Sequence, residues 1–109
     1  MNWTVQYIPE ALDDLRKLDG SQRILIRKAI AKVSKNPLPK PEGGFGVPLG
    51  NKGGQNLTGY LKIKLLHAGL RVVYKLVRTE TQMLIIVIGA RADDEVYHLA
   101  AIRDEKLDV

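Results

Sequence analysis

The chain has no cysteine. That excludes disulfide staples and thiolate metal sites, and it fits a reducing cytoplasm. No apolar run approaches the roughly 20 residues that a membrane-spanning helix requires. The opening stretch, MNWTVQYIPE, has neither the basic region nor the apolar core of a leader, so no signal peptide is expected. No group of Asp, Glu and His has metal-ligand spacing, so no metal and no cofactor are expected. The most informative absence is local. From Gly43 to Thr79 there is no aspartate and no glutamate, yet the window holds Lys52, Lys62, Lys64, Arg71, Lys75 and Arg78. The whole chain carries a net charge of +5, so the residues outside the window come close to balance. Basicity gathered in this way favours acidic partners: nucleic acid, an acidic protein, or both.

At 109 residues and 45% hydrophobic content, the chain reads as one domain, residues 1–109, with enough apolar material for a core. Its organising stretch is YLKIKLLHAGLRVVY, Tyr60 to Tyr74. Read as a strand, Tyr60, Lys62, Lys64 and Leu66 share one side, and Leu61, Ile63 and Leu65 the other. His67-Ala68-Gly69 turns the chain, with Gly69 able to take a positive φ. The returning strand runs to Val77. It puts Leu70, Val72, Tyr74 and Leu76 on one face and Arg71, Val73 and Lys75 on the other. The hairpin therefore presents a row of cations whose mutual repulsion a docked polyanion would relieve. The plainer reading is a solvated strand face.

Trp3 to Tyr7 alternates as a short strand. Pro9 suits a helix first turn. Ala11, Leu12, Leu15 and Leu18 follow at helical spacing, with Asp13, Asp14, Arg16 and Lys17 outside, and Asp19-Gly20 ends the helix. Ser21 is placed to cap a second helix, whose stripe of Ile26, Ala29, Ile30 and Val33 runs to about Lys35. Asn36-Pro37 stops it. Residues 36–59 are Gly/Pro-rich, with four of the five prolines and seven of the ten glycines between Pro37 and Gly59. That stretch reads as a long loop, a connector beside the basic face. Its GNKGGQN lacks the ending of a P-loop, although Lys52 and exposed backbone N–H groups suit phosphate. Met83 to Ala90 is almost continuously apolar and reads as a central strand buried on both faces. Asp93 or Asp94 can cap a final helix reaching about Arg103, with residues 104–109 as a flexible tail. The expected class is α+β: an antiparallel sheet in the order β-α-α-β-β-β-α, with an N-terminal strand, a helical hairpin on one face, a short C-terminal helix, and the helices over one side.

Several of these residues, taken in order, resemble a known family. The pattern Tyr60-x-Lys62-x-Lys64, then Gly69-x-Arg71-Val72-Val73-Tyr74, Arg91 after the buried strand, and Glu95-Val96-Tyr97 is similar to RelE-type toxins of the RelE/ParE superfamily. So are the opening strand, the helical hairpin and the Lys17-Leu18-Asp19 turn. The resemblance spans nearly the whole chain. It implies a metal-independent ribonuclease in a bacterial type II toxin–antitoxin system. Such an enzyme cuts messenger RNA in the ribosomal A site by attack of a ribose 2′-OH on the adjacent phosphate. The implied partners are the ribosome, its message and a cognate antitoxin, with operator DNA reached only through the antitoxin complex and no membrane. By position, Lys62 and Lys64 match the family's strand lysines, Arg71 its hairpin arginine, Arg91 the arginine after the last core strand, and Tyr97 the tyrosine near the C-terminus. The long Gly/Pro loop and the sequence Ala90-Arg91-Ala92 depart from the family pattern, since some members carry extra basic residues near the latter.

On that basis Arg71, with its planar fork, holds the phosphate. Arg91 stabilises the leaving oxygen by hydrogen bonding, because arginine is a reluctant proton donor. Lys62, Lys64 or Tyr97 takes the hydroxyl proton, and Tyr97 can also stack on a base. Both Arg71 and Tyr97 are expected at the surface. Lys52, Lys75 and Arg78 are expected to add RNA and ribosome contacts. His98 is a further acid–base candidate, and His67 a solvated turn residue. Two competing readings remain. One is a ParE-like toxin that poisons DNA gyrase, although such relatives usually lack the full basic-plus-tyrosine set. The other is a catalytically degenerate module that binds an antitoxin and represses its own operon.

Overall fold

Two adjacent strands, Leu70–Val77 and Gln82–Gly89, form the middle of a five-stranded sheet in a computed structural model that describes residues 3–52, 55–90 and 93–105. The elements are β1 (Thr4–Tyr7), α1 (Pro9–Arg16), α2 (Gly20–Val33), β2 (Val47–Lys52), β3 (Gln55–Leu65), β4 (Leu70–Val77), β5 (Gln82–Gly89) and α3 (Asp93–Glu105). The sheet order is β1-β5-β4-β3-β2. No helix among the described residues is long and apolar enough to cross a membrane.

The central hairpin has the expected register. Leu61 pairs with Tyr74, Ile63 with Val72 and Leu65 with Leu70 on one face, while Lys62 pairs with Val73 and Lys64 with Arg71 on the other. Gly69, at φ +66°, makes the turn. On β5, Met83 and Ile85 to Ile88 are all buried, as a strand covered on both faces requires. Helices α1 and α2 cover the apolar face through Ile8, Ala11, Leu15, Ile26, Ile30 and Val33. Helix α3 lies on the opposite face, where Tyr97 meets Lys62. The expectation that the helices share one side is therefore corrected. The cationic face carries Val73 and Val87 among its polar residues, and they need an apolar cover too.

Four further points differ from the expected layout. The sheet is antiparallel except at one edge, where β1 runs parallel to β5 from Thr4↔Gln82 to Tyr7↔Ile85. Residues 36–59 are not one loop. Val47–Lys52 is an edge strand on β3, which itself begins at Gln55. An edge strand tolerates Pro48, and a register shift between Pro48 and Gly50, where Gly50 has φ +60°, lets Leu49 point inward at 3% exposure. The remaining loop is tied down. The buried Tyr74 hydroxyl donates to the Pro37 carbonyl at 2.8 Å. Gly46 packs so tightly that an added Cβ would overlap Tyr74 and Leu61. Finally, α1 ends at Arg16, and Asp19 rather than Ser21 caps α2. The Asp19 carboxylate accepts from Gln22 N–H at 2.8 Å, and Gln22 returns its side-chain oxygen to Asp19 N–H at 3.1 Å. Asp104 and Glu105 are helical rather than part of a tail, and residues 106–109 lie outside the described set.

Burial raises the Tyr74 phenol above its ordinary 10.0. A group whose folded pKa is raised stabilises the fold below its unfolded pKa, and that contribution is lost as pH rises past it. The protein is therefore expected to lose stability above pH 10, partly through Tyr74. Tyr74→Phe should cost about 1–3 kcal/mol at neutral pH, because it strands the Pro37 carbonyl, and should blunt the alkaline loss. Urea melts at neutral and alkaline pH test this. An equal alkaline loss in both proteins would contradict it.

Candidate functional site

Side-chain alternation on β3 and β4 assembles the site. Lys64 and Arg71 are direct cross-strand partners, so their Cβ atoms stand about 4.5–5.5 Å apart, and like charges so placed repel. On the other side Arg71 is paired with Gly89 of β5, which brings no side chain against it. Arg71 Nη1 donates to the Gly69 carbonyl at 3.3 Å, which lays the guanidinium along the turn. One step down the same face, Lys62 Nζ donates to the Tyr97 hydroxyl at 3.2 Å and lies 5.8 Å from the centre of its ring. Lys62 and Arg71 are half-buried and Lys64 is exposed.

Tyr97 is not the surface residue expected. Only 5% of it is exposed, and it is flanked on α3 by the fully buried Val96 and Ala100. The ring is part of the core, and its hydroxyl reaches the cationic face. Four of the expected residues, Lys62, Lys64, Arg71 and Tyr97, are thus brought together. Arg91 lies outside the described residues. His98 is exposed on α3, and His67 is exposed in the turn.

Of the three expected RNA contacts, Arg78 stands apart from this cluster, Lys75 is its diagonal neighbour on the same face, and both meet acids. Arg78 follows β4 at its far end, about 23 Å along the chain from Arg71 at 3.3 Å per residue. Its fork is occupied by Glu42, with Nη1–Oε1 at 3.0 Å and Nη2–Oε2 at 2.7 Å. Hydrogen bonding to Glu42 raises the guanidinium above its ordinary value. Lys75 Nζ lies 3.8 Å from Asp104 Oδ1 and 5.4 Å from the Tyr60 ring centre. The Tyr60 hydroxyl donates to the same Asp104 carboxylate, and burial followed by that hydrogen bond raises the Tyr60 phenol strongly. The acid-free window is therefore not acid-free in space, because Glu42 and Asp104 reach into it from outside. Of Lys52 only the strand position is described. It pairs with Gln55, seven residues along β3 from Lys62.

Sequence reasoning missed one feature altogether. Asp14, expected outside α1, is buried at 7% exposure and ion-paired with Arg103 at 2.7 Å. The signal was present. Ala11, Asp14, Leu15 and Leu18 fall at i, i+3, i+4 and i+7, the buried stripe itself.

No family model matches the chain. It is 27% identical over 103 residues to an Escherichia coli protein named "Putative RelE-like toxin protein", covering 94% of this chain and 98% of the relative. It matches the E. coli protein named "mRNA interferase toxin RelE" to the same extent. Among solved structures, a double arginine-to-alanine mutant of E. coli toxin RelE in the free state has a TM-score of 0.74 at 26% identity, covering 94% of this chain and 98% of that one. The same mutant in complex with a peptide of the antitoxin RelBc gives 0.68 at 26% identity, over 92% and 95% of the two chains.

Because the Tyr97 ring is core and its hydroxyl is not, the two parts are separable. Tyr97→Ala should cost about 3–5 kcal/mol through the cavity it leaves. Tyr97→Phe should cost under about 1.5 kcal/mol, since it keeps the ring and removes one contact to Lys62. Chemical denaturation of both variants checks this. An Ala variant as stable as the Phe variant would show that the ring is not buried.

Proposed function

We propose that this chain, a RelE-type protein by sequence and by fold, is the toxin of a type II toxin–antitoxin pair and acts as a metal-independent endoribonuclease on messenger RNA in the ribosomal A site. The observation that carries this reading is the juxtaposition of the Lys64–Arg71 cross-strand pair with the Lys62–Tyr97 contact. A phosphate seated over Lys64 and Arg71 turns cross-strand repulsion into attraction, and Arg71 can bind two of its oxygens at once. The adjacent ribose 2′-OH then attacks phosphorus as the bond to the 5′-oxygen breaks. The products are a 2′,3′-cyclic phosphate and a free 5′-hydroxyl.

Each proton has a place in this scheme. The hydroxyl proton leaves towards the Lys62–Tyr97 pair, with the base role open between Tyr97, Lys62 and Lys64. Charge building on the phosphorane falls to Arg71 and Lys64. The 5′-oxygen is stabilised by Arg91, on the strength of the family resemblance alone, and takes its proton from solvent or from the pair. In the cell, a cognate antitoxin would silence the enzyme by covering this face, and operator DNA would be met only through the antitoxin complex. The Glu42 and Asp104 ion pairs argue for moving Arg78 and Lys75 out of the first rank of RNA contacts.

Inducible expression should arrest growth by stopping translation, and mapping of RNA 5′ ends should find cuts inside translated reading frames. DNA breaks with intact messages would point instead to gyrase. A second test separates the cations. Arg71→Ala should weaken ribosome binding and lower its salt dependence by about one charge. Arg78→Ala should leave that slope unchanged. On saturated ribosomes, Tyr97→Phe should cut single-turnover cleavage by roughly 10² or more with binding intact. A normal rate would remove its hydroxyl from proton transfer and leave the base role to Lys62 or Lys64.

A further inference from the structure

Strand β1 shields β5 only over Gln82 to Ile85, and Ile8 N–H then donates to the Ile85 carbonyl at 3.1 Å before Pro9 leads the chain away into α1. Among the described residues, no strand lies beside this edge of β5 beyond that point. Two of its backbone groups are met by side chains instead. Ile88 N–H donates to Asp14 Oδ2 at 3.0 Å, and the Ile86 carbonyl accepts from Arg103 Nη1 at 2.8 Å. The two side chains also meet each other, with Nη1–Oδ2 at 2.7 Å and Nη2–Oδ1 at 3.2 Å. Their exposures are only 12% for Arg103 and 7% for Asp14. One ion pair thus stands where a neighbouring strand would, and it joins α1, β5 and α3.

Arg103 is six residues from Tyr97, about 9 Å along α3. By helical spacing it lies about a third of a turn from the Tyr97 stripe, while Asp104 is on that stripe and reaches Tyr60 and Lys75. The last turn of α3 is therefore gripped from two sides, by β5 and α1 through Arg103 and by β3 and β4 through Asp104. Val96, Tyr97 and Ala100 pack α3 against the sheet by apolar contact, which is non-directional. A guanidinium that must meet a carboxylate with both its nitrogens and a carbonyl as well accepts only one arrangement. We propose that Arg103, held by Asp14, is a positioning residue that sets where the Tyr97 hydroxyl stands against Lys62. The catalytic consequence rests on the reading of Tyr97 given above. Misplacement by about 1 Å is enough to cost about 10² in rate.

The test uses the full chain carrying Arg103→Met, which keeps the stem and removes the charge. In the isolated protein, NMR cross-peaks between the Tyr97 ring and the Lys62 ε-methylene should weaken or vanish, and amides of α3 should exchange faster than those of β4 and β5. Unchanged cross-peaks would overturn the positional claim whether or not the protein cuts RNA. Single-turnover cleavage is then measured for Arg103→Met, Tyr97→Phe and the double variant. Arg103→Met alone should lose about 10- to 100-fold, with ribosome affinity within about twofold. Added to Tyr97→Phe it should lose less than about threefold more, because the hydroxyl that it aims is already gone. Losses that multiply in full would assign Arg103 a role not exerted through Tyr97. Arg103→Lys should recover part of both readouts. Should Arg103→Met fail to fold, Arg103→Lys and Asp14→Asn carry the same cycle. A native chain that leaves message intact would sink the ribonuclease reading and leave the NMR result to decide the positional claim.

Discussion

The register of β3 on β4 is the constraint on which the site depends. Leu61 against Tyr74, Ile63 against Val72 and Leu65 against Leu70 fill the face that α1 and α2 cover. A slip of one residue would turn Lys62, Lys64 and Arg71 into that core. Burying even one such charge unpaired costs several kcal/mol. The cross-strand repulsion between Lys64 and Arg71 costs at most about 1 kcal/mol. The core therefore wins, and it forces two cations into apposition that would otherwise stand apart. The site is built by apolar residues on the far side of the sheet.

What could be foreseen follows from locality. The alternation of the hairpin, the Gly69 turn and the doubly buried β5 are periodic signals within a few residues, and all appear in the fold. What could not be foreseen depends on contacts distant in sequence. Glu42 reaches Arg78 and Asp104 reaches Lys75 across 36 and 29 positions, so a local count of charges overstates the open cations. The parallel β1–β5 pair joins the first strand to the last, with two α-helices and three strands between, and nothing in Thr4–Tyr7 announces its direction. β2 was hidden because Pro48 and Gly50 lower strand propensity, although an edge position and a register shift accommodate both. Asp14 and Asp19 differ from these. Their positions, on a buried stripe and three residues before Gln22, are legible in the sequence, where place outweighs residue type.

Two lysine–tyrosine pairs lie on the same face of this sheet, and their hydroxyls have opposite surroundings. Lys75 stands 5.4 Å from the Tyr60 ring and Lys62 stands 5.8 Å from the Tyr97 ring, nearly the same geometry. The hydroxyls are oriented oppositely. Tyr60 donates its proton to the Asp104 carboxylate, and burial with that bond holds it firmly as a phenol. Tyr97 accepts from Lys62, so its own proton points elsewhere. The Asp104 anion beside the first hydroxyl opposes loss of its proton. Asp104 thus does three things at once. It pairs with Lys75, it holds Tyr60 as a phenol, and it anchors the last turn of α3 on the stripe that carries Tyr97. One carboxylate thus balances the Tyr60–Lys75 end of the face, from a stretch of chain that by composition alone would pass for a tail.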